Sequence, residues 1–237
     1  EQLNSKINAY VTVTAARARA DAQSATAEFA AGKVRGPLHG IPIAHKDLYE
    51  TAGIRTTAGA KIHANHIPQH DCTVVRKLRD AGTILLGKLN MDEYAIGVTT
   101  DNPHFGSTRN PWDIDRIPGG SSGGSAAAIA AGLATATTGS DTCGSIRMPA
   151  SVCGVVGLKP TYGRVSKAGV LPFSYRFDHT GPLTRTVEDA ALMLNVMAGY
   201  DSADAASARM PVEDFAAGLG EGVRGLRIGI PRGYFFD

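Results

Sequence analysis

The chain has 237 residues, 43% of them apolar and 19% charged, with 24 basic against 22 acidic side chains and a net charge of +2. This is enough apolar material for a substantial core, and the absence of a basic run interleaved with aromatics gives direct nucleic-acid binding no support. Cys72, Cys143 and Cys153 are odd in number and unpatterned in spacing, which predicts free thiols in a reducing, cytoplasmic setting. The small-apolar run at residues 126–136 is too short and glycine-broken to span a bilayer, and the opening residues lack a leader pattern.

In chain order, an alanine-rich helical pattern covers residues 10–31, with Arg17, Arg19, Asp21 and Glu28 marking a surface helix closed by Gly32. Ile41-Pro42-Ile43-Ala44-His45-Lys46 reads as a short apolar strand running into a lysine. Residues 72–81 place Val74, Val75, Leu78 and Ala81 on one helical face, residues 83–87 form a buried strand, and residues 89–96 return to helix. Two serine-bearing glycine loops follow, at residues 119–125 and 139–144, separated by a helix-forming stretch that starts with residues 126–131. A second short helical pattern occupies residues 146–152. Thr186 and Asp189 form a capping pattern for a helix over residues 186–198, residues 202–222 are a polar surface excursion, and residues 226–230 are one more apolar strand. The alternation predicts an α/β fold with a largely internal sheet and no internal repeat.

The loop at 139–144 delivers Ser145 to a helix start, where backbone N–H groups lack intrahelical partners and could stabilise an oxyanion. No histidine lies in either loop, so the base has to come from elsewhere, and Lys46 at the end of an apolar strand is one amine so placed. A lysine is a base only if burial lowers its pKa by several units. Ile41, Ile43 and Leu48 supply apolar surroundings, and Asp47, as the next residue, should face the other way.

HGIPIAHKD, PGGSSGGS, GSDTCGSIRMPAS and GVVGLKPTYGRVS, in this order, resemble the amidase signature family. The resemblance runs from about His39 through GPLTRTVEDAALML. It implies a single α/β domain over residues 1–237 with a mainly internal mixed sheet flanked by helices. Because family members are considerably longer, the domain is expected to lack its C-terminal portion. The resemblance also implies hydrolysis of a linear carboxamide by a Ser-Ser-Lys triad through an acyl-enzyme. Lys46 stands at the base, Ser121 at the bridging serine preceded by a cis peptide, and Ser145 at the nucleophile. Backbone N–H groups of Thr142, Cys143, Gly144 and Ser145 stand at the oxyanion hole, with Ser122 and Arg147 behind them. No cofactor or metal is implied. The expected partner is a small-molecule amide, with a homodimer or partner subunits as further possibilities. The alternative is the glutamine-hydrolysing A subunit of a tRNA-dependent amidotransferase. Cys143 replaces the glycine usual in that turn, and is read as a small buried thiol lining the pocket rather than as the nucleophile.

Three rival motifs are weaker. GSSGG would make Ser122 an esterase-type nucleophile, but Arg116-Ile117-Pro118-Gly119 is a poor strand to carry that elbow. GTILLGK mimics a phosphate loop but has an apolar centre, with Leu89 in place of the magnesium-binding hydroxyl. His63, His66, His70 and Cys72 follow no tight metal-ligand spacing, and Pro68 interrupts any helix there.

Overall fold

Ile43 and Ala44 fix the architecture. As neighbours on a strand they point to opposite faces, and both are fully buried in different clusters. The sheet must therefore be covered on both sides, and it is. The computed structural model describes residues 2–230 and Gly233. In chain order the elements are α1 (Asn4–Ile7), β1 (Tyr10–Val13), α2 (Ala15–Ala30), β2 (Pro42–Lys46), α3 (Thr73–Asp80), β3 (Ile84–Leu89), β4 (Asp101–Asn102) and β5 (Gly106–Ser107). These are followed by α4 (Gly123–Ala130), β6 (Ala136–Asp141), α5 (Arg147–Cys153), β7 (Val156–Gly157), β8 (His179–Thr184) and α6 (Val187–Met197). Six strands form one mixed sheet in the order β1-β3-β2-β6-β8-β7, with β2 parallel to both β3 and β6 and the remaining pairs antiparallel.

On one face, Val74, Val75 and Leu78 of α3 and Met193, Leu194 and Met197 of α6 pack with Ile43 and Tyr49. On the other, Ala127, Ala128 and Ile129 of α4 pack with Ala44 and Leu89. The α/β fold with a mixed internal sheet is as the sequence implies. The capping pattern also holds, since Thr186 Oγ1 accepts from the Asp189 N–H at 3.1 Å.

Several local expectations are corrected. Residues 10–13 belong to β1 rather than to the helix, because Tyr10-Val-Thr-Val is β-prone and pairs with β3 at the sheet edge. The loop expected at 119–125 ends early, and Gly123 and Gly124 form the first turn of α4. A Cβ on Gly124 would lie 2.5–2.7 Å from backbone atoms of Asn90 and Ala9, so glycine there serves close helix-to-strand approach rather than looseness. The second loop is shorter too, since β6 continues through Asp141. Residues 89–96 do not form an α-helix, and only Glu93–Ala95 make a short 3₁₀ turn. Instead β3 ends at Leu89, and Asn90 spends its side chain on backbone groups, with Nδ2 donating to Gly106 O at 2.8 Å and Oδ1 accepting from Met91 N at 2.9 Å. Residues 226–230 form no strand. Leu226, Ile228 and Ile230 are exposed, and among the described residues no strand pairs with them. Among the described residues no helix is long and apolar enough to cross a membrane, and no cluster of histidine, cysteine or carboxylate side chains could hold a metal.

Candidate active site

Lys46 shares the parity of Ala44 on β2, so its side chain rises on the α4 face, beneath the Ser121-Ser122 step that leads into that helix. It is fully buried. Its Nζ lies 2.7 Å from Ser121 Oγ, 2.9 Å from Ser122 Oγ and 2.9 Å from Ser140 Oγ. Burial pushes the Lys46 pKa down from 10.5 to about 7, against the opposing pull of the carboxylates of Asp92, Asp141 and Asp178. Asp47 is not among these. Its carboxylate turns away to Thr57, whose N–H it accepts at 2.9 Å, and to the buried ammonium of Lys88 at 3.5 Å.

A neutral amine has two N–H donors and one lone pair, yet three hydroxyls surround Lys46. Two of them must accept and one must donate. Ser122 Oγ sits 3.3 Å from Ser140 O, which can only accept, so the Ser122 proton has a partner and Ser122 receives an N–H from lysine. Ser121 or Ser140 then presents its proton to the lysine lone pair. The Gly120–Ser121 peptide is cis, as the resemblance implied.

The second serine loop is organised by Asp141 at the end of β6. Its carboxylate accepts from the N–H groups of Gly144 (2.8 Å), Ile146 (3.2 Å) and Arg147 (3.3 Å) and from the Arg147 guanidinium. This removes Gly144 from the expected oxyanion donors, because its N–H already has a carboxylate partner. Among the described residues the N–H groups of Thr142, Cys143 and Ser145 have no hydrogen-bond partner, and these three remain. Ser145 is half-buried. The two serine loops touch through the Ser122 N–H, which donates to Ser145 O at 3.2 Å. Among the described residues no hydrogen bond joins Ser145 Oγ to Ser121. Cys143 is exposed rather than buried against the pocket, because its turn projects beyond the end of β6.

A cleft of about 450 Å³ reaches Lys46 through Ser140, and its polar lining includes Ser140, Lys167, Asp178, His179, Thr180 and Asp204. Leu48, Val170 and Leu171 are part of its apolar side. Sequence reading missed Ser140, Asp141, Asp178 and His179. Ser140 and Asp141 lie inside the motif that carried the resemblance, and the signal was a strand rich in hydroxyls where a buried strand should be aliphatic.

The amidase family model matches residues 1–237. The chain belongs to the amidase family. Among curated relatives, the A subunit of the glutamyl-tRNA(Gln) amidotransferase of Geobacter sp. (strain M21) is 54% identical over the whole chain and 49% of its own length. That of Carboxydothermus hydrogenoformans is 53% identical over the same shares. The chain thus spans about half the length of the curated relatives it matches. Among solved structures, an inhibitor-bound vestigial protein complex described for the origins of an s-triazine catabolic enzyme superposes with a TM-score of 0.92 at 48% identity. That superposition covers 94% of this chain and 49% of that one. The native peptide amidase of Stenotrophomonas maltophilia gives 0.85 at 43% identity, over 89% and 45%.

Proposed function

We propose that the full protein cleaves a linear carboxamide with Ser145 as nucleophile, Ser121 as proton relay and Lys46 as base. The observation that carries this reading is a fully buried Lys46 whose pKa falls to about 7 with Ser121 Oγ at 2.7 Å. A lysine so placed is substantially neutral at physiological pH and can accept a proton through a hydroxyl.

Lys46 takes the Ser121 proton as Ser121 takes that of Ser145, and Ser145 Oγ bonds to the amide carbon. The carbonyl oxygen gains negative charge against the open N–H groups of Thr142, Cys143 and Ser145, each such donor being worth about 3–4 kcal/mol in the transition state. The proton returns through Ser121 to the departing nitrogen, the C–N bond breaks, and water resolves the acyl-enzyme by the same route. Ser122 and Arg147 act from behind, Ser122 by holding Lys46 and Arg147 by holding Asp141.

The same residues serve a second reading, in which the ammonia passes to a partner subunit. The names and 54% identity of curated relatives favour it. Trapping the full-length protein with a fluorophosphonate and mapping the adduct tests the shared chemistry. The label is expected on Ser145, and a label on Cys143 or Ser122 would overturn the assignment. Glutamine hydrolysis that requires a copurifying subunit would favour the second reading; hydrolysis of simple amides by the single chain would favour the first.

A further inference from the structure

His179 opens β8, directly across from Asp141 in the β6–β8 register. Its Nδ1 lies 2.7 Å from Phe177 O and 3.0 Å from Asp141 O. Both neighbours are carbonyl oxygens, which only accept, so Nδ1 carries a proton and the tautomer is set by its surroundings. In the neutral ring, Nε2 is then an acceptor. Among the described residues Nε2 has no hydrogen-bond partner, while the ring stacks edgewise on Tyr162 at 5.4 Å and lines the cleft beside Ser140.

Asp178, Ser140 and Thr180 in this wall already have protein partners. Asp178 accepts from Thr142 Oγ1 at 2.5 Å and from the N–H groups of Phe173 and Ser174 at 2.9 and 2.8 Å. Ser140 Oγ faces Lys46, and the Thr180 hydroxyl donates to Ser166 O at 3.3 Å. His179 Nε2 is thus an acceptor oriented by its own backbone contacts and without a partner among the described residues, one strand pairing away from the turn that holds Ser145.

We propose that His179 is a specificity-determining residue, whose Nε2 accepts a hydrogen bond from an N–H group on the acyl part of the substrate. This rests on the carboxamide-cleaving reading and narrows its substrates to acyl chains bearing an amino or amido N–H. His179 is half-buried, and once a substrate covers it, an analogue that leaves its acceptor unpaired binds less well.

The test compares amides that share a scissile carboxamide and differ in that N–H: L-glutamine against 4-carbamoylbutanoate, and N-acetylglycinamide against N-acetylsarcosinamide. Ammonia release is measured with the full-length protein and its copurifying subunits. His179→Asn keeps a donor near Asp141 O and Phe177 O but removes the Nε2 acceptor. It is expected to raise KM about tenfold or more for the N–H-bearing member of the pair that is turned over, with kcat nearly unchanged and the N–H-poor member unaffected. His179→Gln, which carries an acceptor to the reach of Nε2, should restore part of the preference and guards against a folding failure of the asparagine variant. Equal losses on both members, or no loss on either, would overturn the proposal. Inactivity of the native protein on all four amides would instead count against carboxamide cleavage itself, and the inference would fall with it.

Discussion

Asp141 holds Arg147 in a two-point grip, with Arg147 Nη2 at 2.9 Å from Oδ1 and Nε at 3.0 Å from Oδ2, while the same carboxylate collects three backbone N–H groups of the intervening turn. Ser145 lies inside the loop that this grip closes. Burial alone would raise the Asp141 pKa, but the Arg147 and backbone hydrogen bonds outweigh it and leave the carboxyl below its usual value.

Replacing Asp141 by Asn should therefore loosen the turn that carries Ser145, the proposed nucleophile. The turnover number kcat is expected to fall by roughly 10²-fold or more, the order seen when oxyanion-hole geometry is lost, with little change in KM. Arg147→Ala should cost less, because Asp141 keeps its three backbone donors. Steady-state kinetics of the two variants decide it, and a larger loss for Arg147→Ala would show that the guanidinium has a role beyond holding Asp141.

Lys46 should leave a mark on stability as well as on rate. Its folded pKa of about 7 lies below the usual 10.5, so the unfolded chain binds more protons between these values. Stability attributable to Lys46 is therefore lowest below about pH 7 and rises as pH increases through the window from about 7 to 10.5. Chemical denaturation of the full-length protein against its Lys46→Met variant isolates this slope. The variant should lose it, and identical pH dependence in both would mean that Lys46 is not desolvated.

Gly120 leaves room around Ser121, the proposed relay, by having no side chain. A Cβ there would stand 2.7 Å from Thr99 N and would also run into the Asp92 carboxylate. Gly120→Ala should displace the Ser121 hydroxyl from Lys46, with overpacking costing about 1–3 kcal/mol and activity falling far more than stability. Thermal melting measured beside kcat separates the two effects.

Asp92 also acts on Lys46, the proposed base, because its carboxylate favours the charged form of the lysine. Asp92→Asn should move the acid limb of the kcat/KM profile to lower pH. A shift to higher pH would contradict the sign of this coupling.

Part of the candidate site was legible in the sequence because the motifs that carry the family resemblance hold particular residue types in fixed order. Lys46, Ser121 and Ser145 stood out because HGIPIAHKD, PGGSSGGS and GSDTCGSIRMPAS together resemble the family's motifs, whereas composition alone favours a solvated Lys46 paired with Asp47. The structure adds that Lys46 meets Ser121 and that the Gly120–Ser121 bond is cis. What stayed hidden depends on pairing between distant segments. Nothing local in Ser140 says that β6 lies beside β2, and nothing local in His179 says that it faces Asp141. The helix expected at 89–96 failed for a related reason: Asn90 bonds the distant backbone at Gly106, which no periodicity count detects. Residues 226–230 have a strand's pattern but no strand to pair with among the described residues.

The most direct measurement is the rate of acylation of Ser145 by substrate in rapid-mixing experiments, followed across pH for the full-length native protein and for Lys46→Ala. The native rate should rise along a single ionisation near pH 7, matching the depressed pKa of Lys46. In the alanine variant that ionisation should vanish, with acylation slower by roughly 10²–10⁴-fold and substrate binding little changed. Near-native acylation by Lys46→Ala, or an unchanged pH profile, would contradict the assignment of Lys46 as the base.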